Sequence, residues 1–252
     1  MKLFPTFLSC LLTLAPVIAS AESVDELIKQ GDQHAQSYQE EDALKHYLAA
    51  IELDERNAYV HLAVSREYRH LMTDAKSKSE KLKYANIALD YANKAAKLGP
   101  TNSDAQLAPA ITYGKLLPLI PDSGERLKIS RKIKASADRA IKLNPRNDTA
   151  WNVLGRWHRG FAELSGTKRF LGGLVHGNIP KSTYANAAAC FRNAIDINPN
   201  RLMHHVELGC IYSSMGKKKD ARKLIKRGLA MAETEKDDPE TKRRGKDLLS
   251  RL

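Results

Sequence analysis

Basic side chains gather at a few places in this chain where binding an anion is the chemistry they could do: Arg66, Arg69 and His70, then Lys115, then Arg156 and Arg159. Spacings of three or four residues put the members of each group on one stripe of a helix. A guanidinium grips a carboxylate or phosphate through two parallel hydrogen bonds, so several along one wall make an anion-selective surface. The competing reading makes the same arginines struts, paired with Glu67, Glu163 or carboxylates of a neighbouring element. Catalysis finds no such grouping. There is no Gly-x-Ser-x-Gly elbow, no His-Glu-x-x-His helix and no identifiable pair of catalytic carboxylates. His158, His176 and His204-His205 lack metal-ligand spacing with Cys, Asp or Glu, and Gly172-Gly173 lacks the spaced glycines and Lys-Thr ending of a phosphate loop. The chain therefore reads as non-enzymatic, with no cofactor expected.

The elements that position these cations are written as a repeat. Ala-Ala-Ile-Glu-Leu-Asp at 49–54, Ala-Ala-Lys-Leu-Gly-Pro at 95–100, Ala-Ile-Lys-Leu-Asn-Pro at 140–145 and Ala-Ile-Asp-Ile-Asn-Pro at 194–199 are four versions of one helix ending. A helical hairpin cannot bury its apolar face alone, so copies stack into a solenoid. The marks resemble those of the tetratricopeptide repeat, Trp-x2-Leu-Gly-x2-Tyr on helix A and Ala-x3-Phe on helix B. Trp151, Leu154, Gly155, His158, Ala187, Phe191, Ala194 and Pro199 fit the fourth unit, Leu208, Gly209, Tyr212, Ala221, Ile225 and Gly228 the fifth, and Leu27, Gly31, Ala43, Tyr47 and Ala50 the first. The expected fold is all-α: a tetratricopeptide-like superhelix of about five hairpins over residues 22–236, with a C-terminal capping helix over 237–252. In such a stack helix A lines the concave face, and the repeat phase turns Arg66, Arg69, His70, Lys115, Arg156 and Arg159 into it.

The phrase endings Leu53, Leu98, Leu143 and Ile197 stand 45, 45 and 54 residues apart, longer than the family period of about 34, so the middle units are swollen. The second is expected to place helix A over 59–72 and helix B over 82–98, joined by a polar Lys76-Ser77-Lys78-Ser79 connection. The third is expected over 103–117 and 125–143. The longest insertion, 165–183, carries Lys168, Arg169, Phe170 and Leu174, a cationic pair beside an apolar cluster. That composition suits a lid over the groove or an extra helix packed on one wall. Trp151 and Trp157, at helical spacing beside Leu154, are expected to pack in the core rather than stack on a ligand, Trp157 less so because Arg156 adjoins it.

Of 252 residues, 41 are Lys or Arg against 29 Asp or Glu, a net charge of +12 that favours anionic partners. Lys2, an apolar stretch over 3–18 and Ala19-Ser20-Ala21 read as a signal peptide over 1–21, which places the mature chain outside the cytoplasm, in the periplasm; the alternative is an uncleaved membrane anchor. Cys190 and Cys210 then either pair or remain small buried thiols. The runs Lys217-Lys218-Lys219 and Lys242-Arg243-Arg244 lack interleaved aromatics and read as solvated surface, so nucleic acid is not the expected partner.

Ala-Asp-Arg-Ala-Ile-Lys-Leu-Asn-Pro at 137–145, Leu-Gly-Arg-Trp at 154–157, Phe-Ala-Glu-Leu at 161–164 and Pro-Lys-Ser-Thr-Tyr at 180–184 are more particular than a generic repeat. On these residues the chain resembles the regulator of microtubule dynamics family over roughly 25–232. The resemblance implies a tetratricopeptide-like domain, association with microtubules or the spindle and, in a membrane-contact member, a domain that holds phospholipid. The export signal sets this chain in a different compartment, which leaves peptide or lipid binding to carry over. The expected function is an interaction scaffold that binds a protein or acidic peptide in a basic concave groove; the alternative is a carrier holding an anionic phospholipid there. If the leader is cleaved after Ala21, intact-mass measurement on protein from its native host will find a chain beginning at Glu22; a chain retaining 1–21 would make the protein membrane-anchored.

Overall fold

A short turn, written four times into the sequence, sets the rhythm of the molecule. Helices end at the cap residues Asp54, Gly99, Asn144 and Asn198, and three residues later Asn57, Asn102, Asn147 and Arg201 open the next. In every case the N–H of the later residue donates to the carbonyl of the earlier one at 3.0–3.3 Å. The three asparagines then accept, through their side-chain oxygens, from N–H groups of the first helical turn. Those donors have no partner within the helix, so one recurring phrase both stops a helix and nucleates its successor.

The structure, a computed structural model, describes residues 22–164, 172, 173 and 178–252. Among these residues there are eleven α-helices and no strand: α1 (Val24–Gln36), α2 (Glu40–Leu53), α3 (Ala58–Asp74), α4 (Lys78–Leu98), α5 (Ser103–Leu116), α6 (Ser123–Leu143), α7 (Asp148–Ala162), α8 (Tyr184–Ile197), α9 (Leu202–Ser214), α10 (Lys218–Leu229) and α11 (Asp238–Leu249), with a 3-10 turn Leu117–Leu119 after α5. They form five hairpins in chain order, α1/α2 to α9/α10, each stacked on the next. The first helices of successive hairpins also touch, α3 with α5, α5 with α7 and α7 with α9, and so line the inner face. The core is divided into four clusters of buried apolar residues distributed along the stack. The signal-peptide residues 1–21 and the insertion residues Lys168, Arg169, Phe170 and Leu174 lie outside the described residues.

Within a hairpin, close approach rests on matched volumes. A Cβ on Gly31 would stand 2.6 Å from Tyr47, one on Gly155 2.8 Å from Phe191 and one on Gly209 2.6 Å from Ile225, so each glycine makes room for a large partner that is fully buried. In the second and third hairpins the same register carries Ala92 and Ala137 on the second helix, and there the first helix carries Ser65 and Ala110 instead of glycine. Ala50, Ala95, Ala140 and Ala194, one turn later, have no exposed surface. In the second and third hairpins both facing positions are small.

Two sequence expectations need correction. The connection expected over Lys76-Ser77-Lys78-Ser79 is shorter, because Ser77 and Glu80 form a reciprocal capping box and α4 starts at Lys78. Trp157 is the more deeply buried tryptophan, its indole N–H donating to the Ser130 carbonyl of α6 at 2.9 Å, whereas Trp151 is half-buried and donates to Pro145. Cys190 and Cys210 are free thiols, and burial pushes both up to about 11. The last helix begins at Asp238 as expected and packs on α9 and α10, with Gly245 against Leu229, Val206 and Ile225. Truncating the plug by Phe191→Ala removes a fully buried ring and will cost about 3–5 kcal/mol in urea melts; a loss below about 1 kcal/mol would contradict the packing register.

Candidate functional site

The inner face of α3 carries a buried acid among bases. Glu67 has no exposed side-chain surface, and it meets Arg66 Nε at 2.8 Å and His70 Nδ1 at 3.3 Å. Burial alone would raise its carboxyl, but the close His70 imidazole and the Arg66 guanidinium outweigh that and hold it below the usual range. Arg66 also donates to the Tyr47 hydroxyl at 3.2 Å, and Tyr47 and Tyr59 both donate to Asp32 at 2.6 Å. Arg69 is buried; its Nη1 donates to Ser65 Oγ at 3.0 Å, and among the described residues no carboxylate lies within 4.0 Å of it. Burial, with repulsion from Arg66, pushes Arg69 down to about 10.

A second buried acid gathers the cations of the fourth unit. Glu207 of α9, again without exposed side-chain surface, accepts a short hydrogen bond from Arg159 Nη1 and one of 3.0 Å from Arg244 Nη2 of α11, with Arg156 Nε at 3.9 Å. Desolvation would raise its carboxyl, but Arg159, Arg156 and Arg244 together bring it to about 2. One carboxylate thereby joins the fourth hairpin, the fifth hairpin and the capping helix.

Between these centres lies the link from α10 to α11, residues 230–237. It turns back along the inner face and reaches hairpins far away in sequence. Tyr38, in the turn after α1 at φ 54°, donates its hydroxyl to the Thr234 carbonyl at 2.9 Å. Lys236 pairs with Glu40 at 2.9 Å and Asp74 at 2.8 Å and lies over the Tyr38 ring. Asp237 takes Lys115 of α5 at 2.7 Å, and the same ammonium donates to Thr73 Oγ1 at 2.9 Å. Arg201, opening α9, meets Glu235 at 2.7 Å. Burial lowers Lys115 despite Asp237, while Lys115, His70 and Arg156 hold the half-buried Asp237 below its ordinary range.

The six residues singled out in the sequence are thus brought to one face, but in three groups: Arg66, Arg69 and His70 about Glu67, Lys115 on Asp237, and Arg156 with Arg159 on Glu207. Sequence reasoning missed Glu207, Asp237, Tyr38 and Lys236. Glu207 carried a signal, since it is a lone acid in the otherwise apolar Val206–Leu208–Gly209 stretch; the others carried none. The Lys242-Arg243-Arg244 run is not simply solvated surface, because Arg244 turns inward to Glu207 and Lys242 meets Glu233 at 3.4 Å. The remaining histidines of note have local partners: His204 meets Asp148 at 2.8 Å and Asn152 at 3.0 Å, and His205 meets the Pro199 carbonyl at 2.8 Å. Among the described residues no group of three His, Cys, Asp or Glu could hold a metal ion, and no helix is long and apolar enough to cross a membrane.

A family model described as regulator of microtubule dynamics protein 1-3 matches residues 22–252. No curated protein matches the sequence. Among solved structures, the chain is similar to TTC0263, a thermophilic TPR protein of Thermus thermophilus, at 15% identity and TM-score 0.65, covering 90% of this chain and 100% of that one. It is also similar to a MamA RS-1 double mutant, at 12% identity and TM-score 0.52 over 91% and 99% of the two chains. At such identities the likeness is one of fold: a helical-repeat solenoid.

The acid response follows from Glu207. Its carboxyl is depressed from an ordinary 4.5 to about 2, so the stability it supplies is complete above the ordinary value and is lost as pH falls from 4.5 toward about 2. Glu207→Gln leaves three guanidiniums without their common counter-ion and will cost about 3–5 kcal/mol at neutral pH. In urea melts the gap between the variant and the unaltered protein should narrow as pH falls through that window; a gap independent of pH would contradict the assignment.

Proposed function

The chain belongs to the regulator of microtubule dynamics family, and from the inner face described above we propose that it is a non-enzymatic scaffold holding an acidic segment of a protein partner along α3, α5 and α7. The coarse part of this is the ordinary use of a helical-repeat solenoid, whose stacked hairpins present a long concave surface. The finer part rests on one observation. Arg69 is buried beside Arg66 with no carboxylate in ion-pair range among the described residues, and its guanidinium is pushed down to about 10. The shortage of negative charge is local to Arg69, since Arg66, Lys115, Arg156 and Arg159 have Glu67, Asp237, Glu207 and Glu163 within ion-pair range. A carboxylate supplied by a partner relieves that imbalance, and guanidiniums bind carboxylates in a fixed, directional geometry.

Charged groups crowd this surface, which suits the polar backbone and side chains of a peptide better than an acyl chain. With the leader read at 1–21, the scaffold is proposed to act after export, in the periplasm.

Arg66 and Arg156 are the cations to change, since about half of each side chain is exposed while Glu67 and Glu207 retain other partners. Arg66→Gln with Arg156→Gln should weaken binding of a glutamate-rich peptide about tenfold or more, because two charge-assisted contacts are lost. Binding to the unaltered protein should also weaken as salt is raised. Unchanged affinity in the double variant would contradict the proposal, and phospholipid in an organic extract of the purified protein would assign the same cations to a lipid headgroup.

A further inference from the structure

We propose that residues 233–237, Glu-Thr-Glu-Lys-Asp, are a built-in occupant of this groove, which an acidic partner displaces in order to bind. The inference rests on the functional reading above and goes further, naming the partner's chemistry and the gate. The segment is the kind of ligand the face is built to take, with three carboxylates at alternate positions in five residues. Two of them, Glu235 and Asp237, stand two residues apart and engage Arg201 and Lys115. A competing partner segment therefore presents carboxylates at alternate residues to the same two cations.

The grip on the segment is of a displaceable kind. Its contacts to other hairpins are ion pairs and hydrogen bonds through Tyr38, Glu40, Asp74, Thr73, Lys115 and Arg201, many of them partly exposed, and no residue of 231–237 belongs to a core cluster. Partly exposed ion pairs contribute little net stability in water. The helix beyond is held independently: Gly245 packs against Val206, Ile225 and Leu229, and Arg244 is bonded to Glu207. The link can leave the face while α11 stays docked. Its release also frees the first hairpin from the fifth, because Tyr38 and Glu40 at one end and Arg201 at the other are tied together through Thr234, Lys236 and Glu235.

Lys236 makes the idea testable by the sign of an effect. Simple electrostatics says that removing this cation weakens binding of an anionic peptide, whereas displacement says that loosening the segment strengthens it. The probe is a fluorescent synthetic peptide, Ala-Met-Ala-Glu-Thr-Glu-Lys-Asp-Asp-Pro, titrated into the full chain, the Lys236→Gln variant and the Tyr38→Phe variant, with melting followed in each. Apparent affinity scales with the fraction of molecules whose groove is open, so both variants are expected to bind about fivefold tighter or more than the unaltered chain. Equal or weaker binding by both variants, with the unaltered chain still binding, would overturn the built-in occupant and leave the acidic-partner reading standing. No binding to any of the three chains would overturn both.

Discussion

Charge crowded onto the inside of a bend is the constraint on which this structure turns. Stacked hairpins bring the first helices of successive units together, and the sequence places arginine or lysine on that side in three consecutive units. Partly buried cations crowded together repel one another and lose hydration, a cost that nearby carboxylates offset. Glu67, Glu207 and Asp237 supply those counter-ions, and each does so from a different part of the chain. The docking of the capping helix through Arg244 and the path of the link after α10 are both tied to this neutralisation.

The neutralisation is incomplete, and function is read from the shortfall. Glu67 and Glu207 are fully enclosed and serve as permanent parts of the fold, whereas Asp237 sits on a link with no apolar anchor. The strut and groove readings of the arginines are therefore not exclusive. Arg159 is mostly a strut, bonded to Glu207 and near Glu163; Arg66 and Arg156 keep exposed surface; Arg69 is the buried cation left without a close acid among the described residues.

The hairpins were legible in the sequence because their packing is local and repeated. Glycine or a small residue on the first helix opposite Tyr47, Phe191 or Ile225 leaves a pattern that recurs with the unit, and the turn phrase recurs with it. The cations of the inner face were legible for the same reason, since the phase that places Gly155 also places Arg156 and Arg159. What was lost lies between elements distant in sequence. Nothing local marks Arg244 as the partner of Glu207, 37 residues earlier, or Tyr38 as the partner of Thr234, 196 residues later. The tryptophans were misjudged because burial of Trp157 depends on the Ser130 carbonyl of the preceding hairpin, which the repeat marks do not encode.

The account is tested most directly at the link itself. The amides of Thr234 and Glu235 both donate to Asp238 Oδ2 at 3.0 Å while the link lies on the inner face. Hydrogen exchange across 231–238, followed by mass spectrometry with and without a saturating glutamate-rich peptide, reports whether the link leaves that face when the peptide arrives. Faster exchange in this stretch, with α9 and α10 unchanged, is the result the account predicts. Exchange that stays the same or slows while the peptide is bound would contradict it.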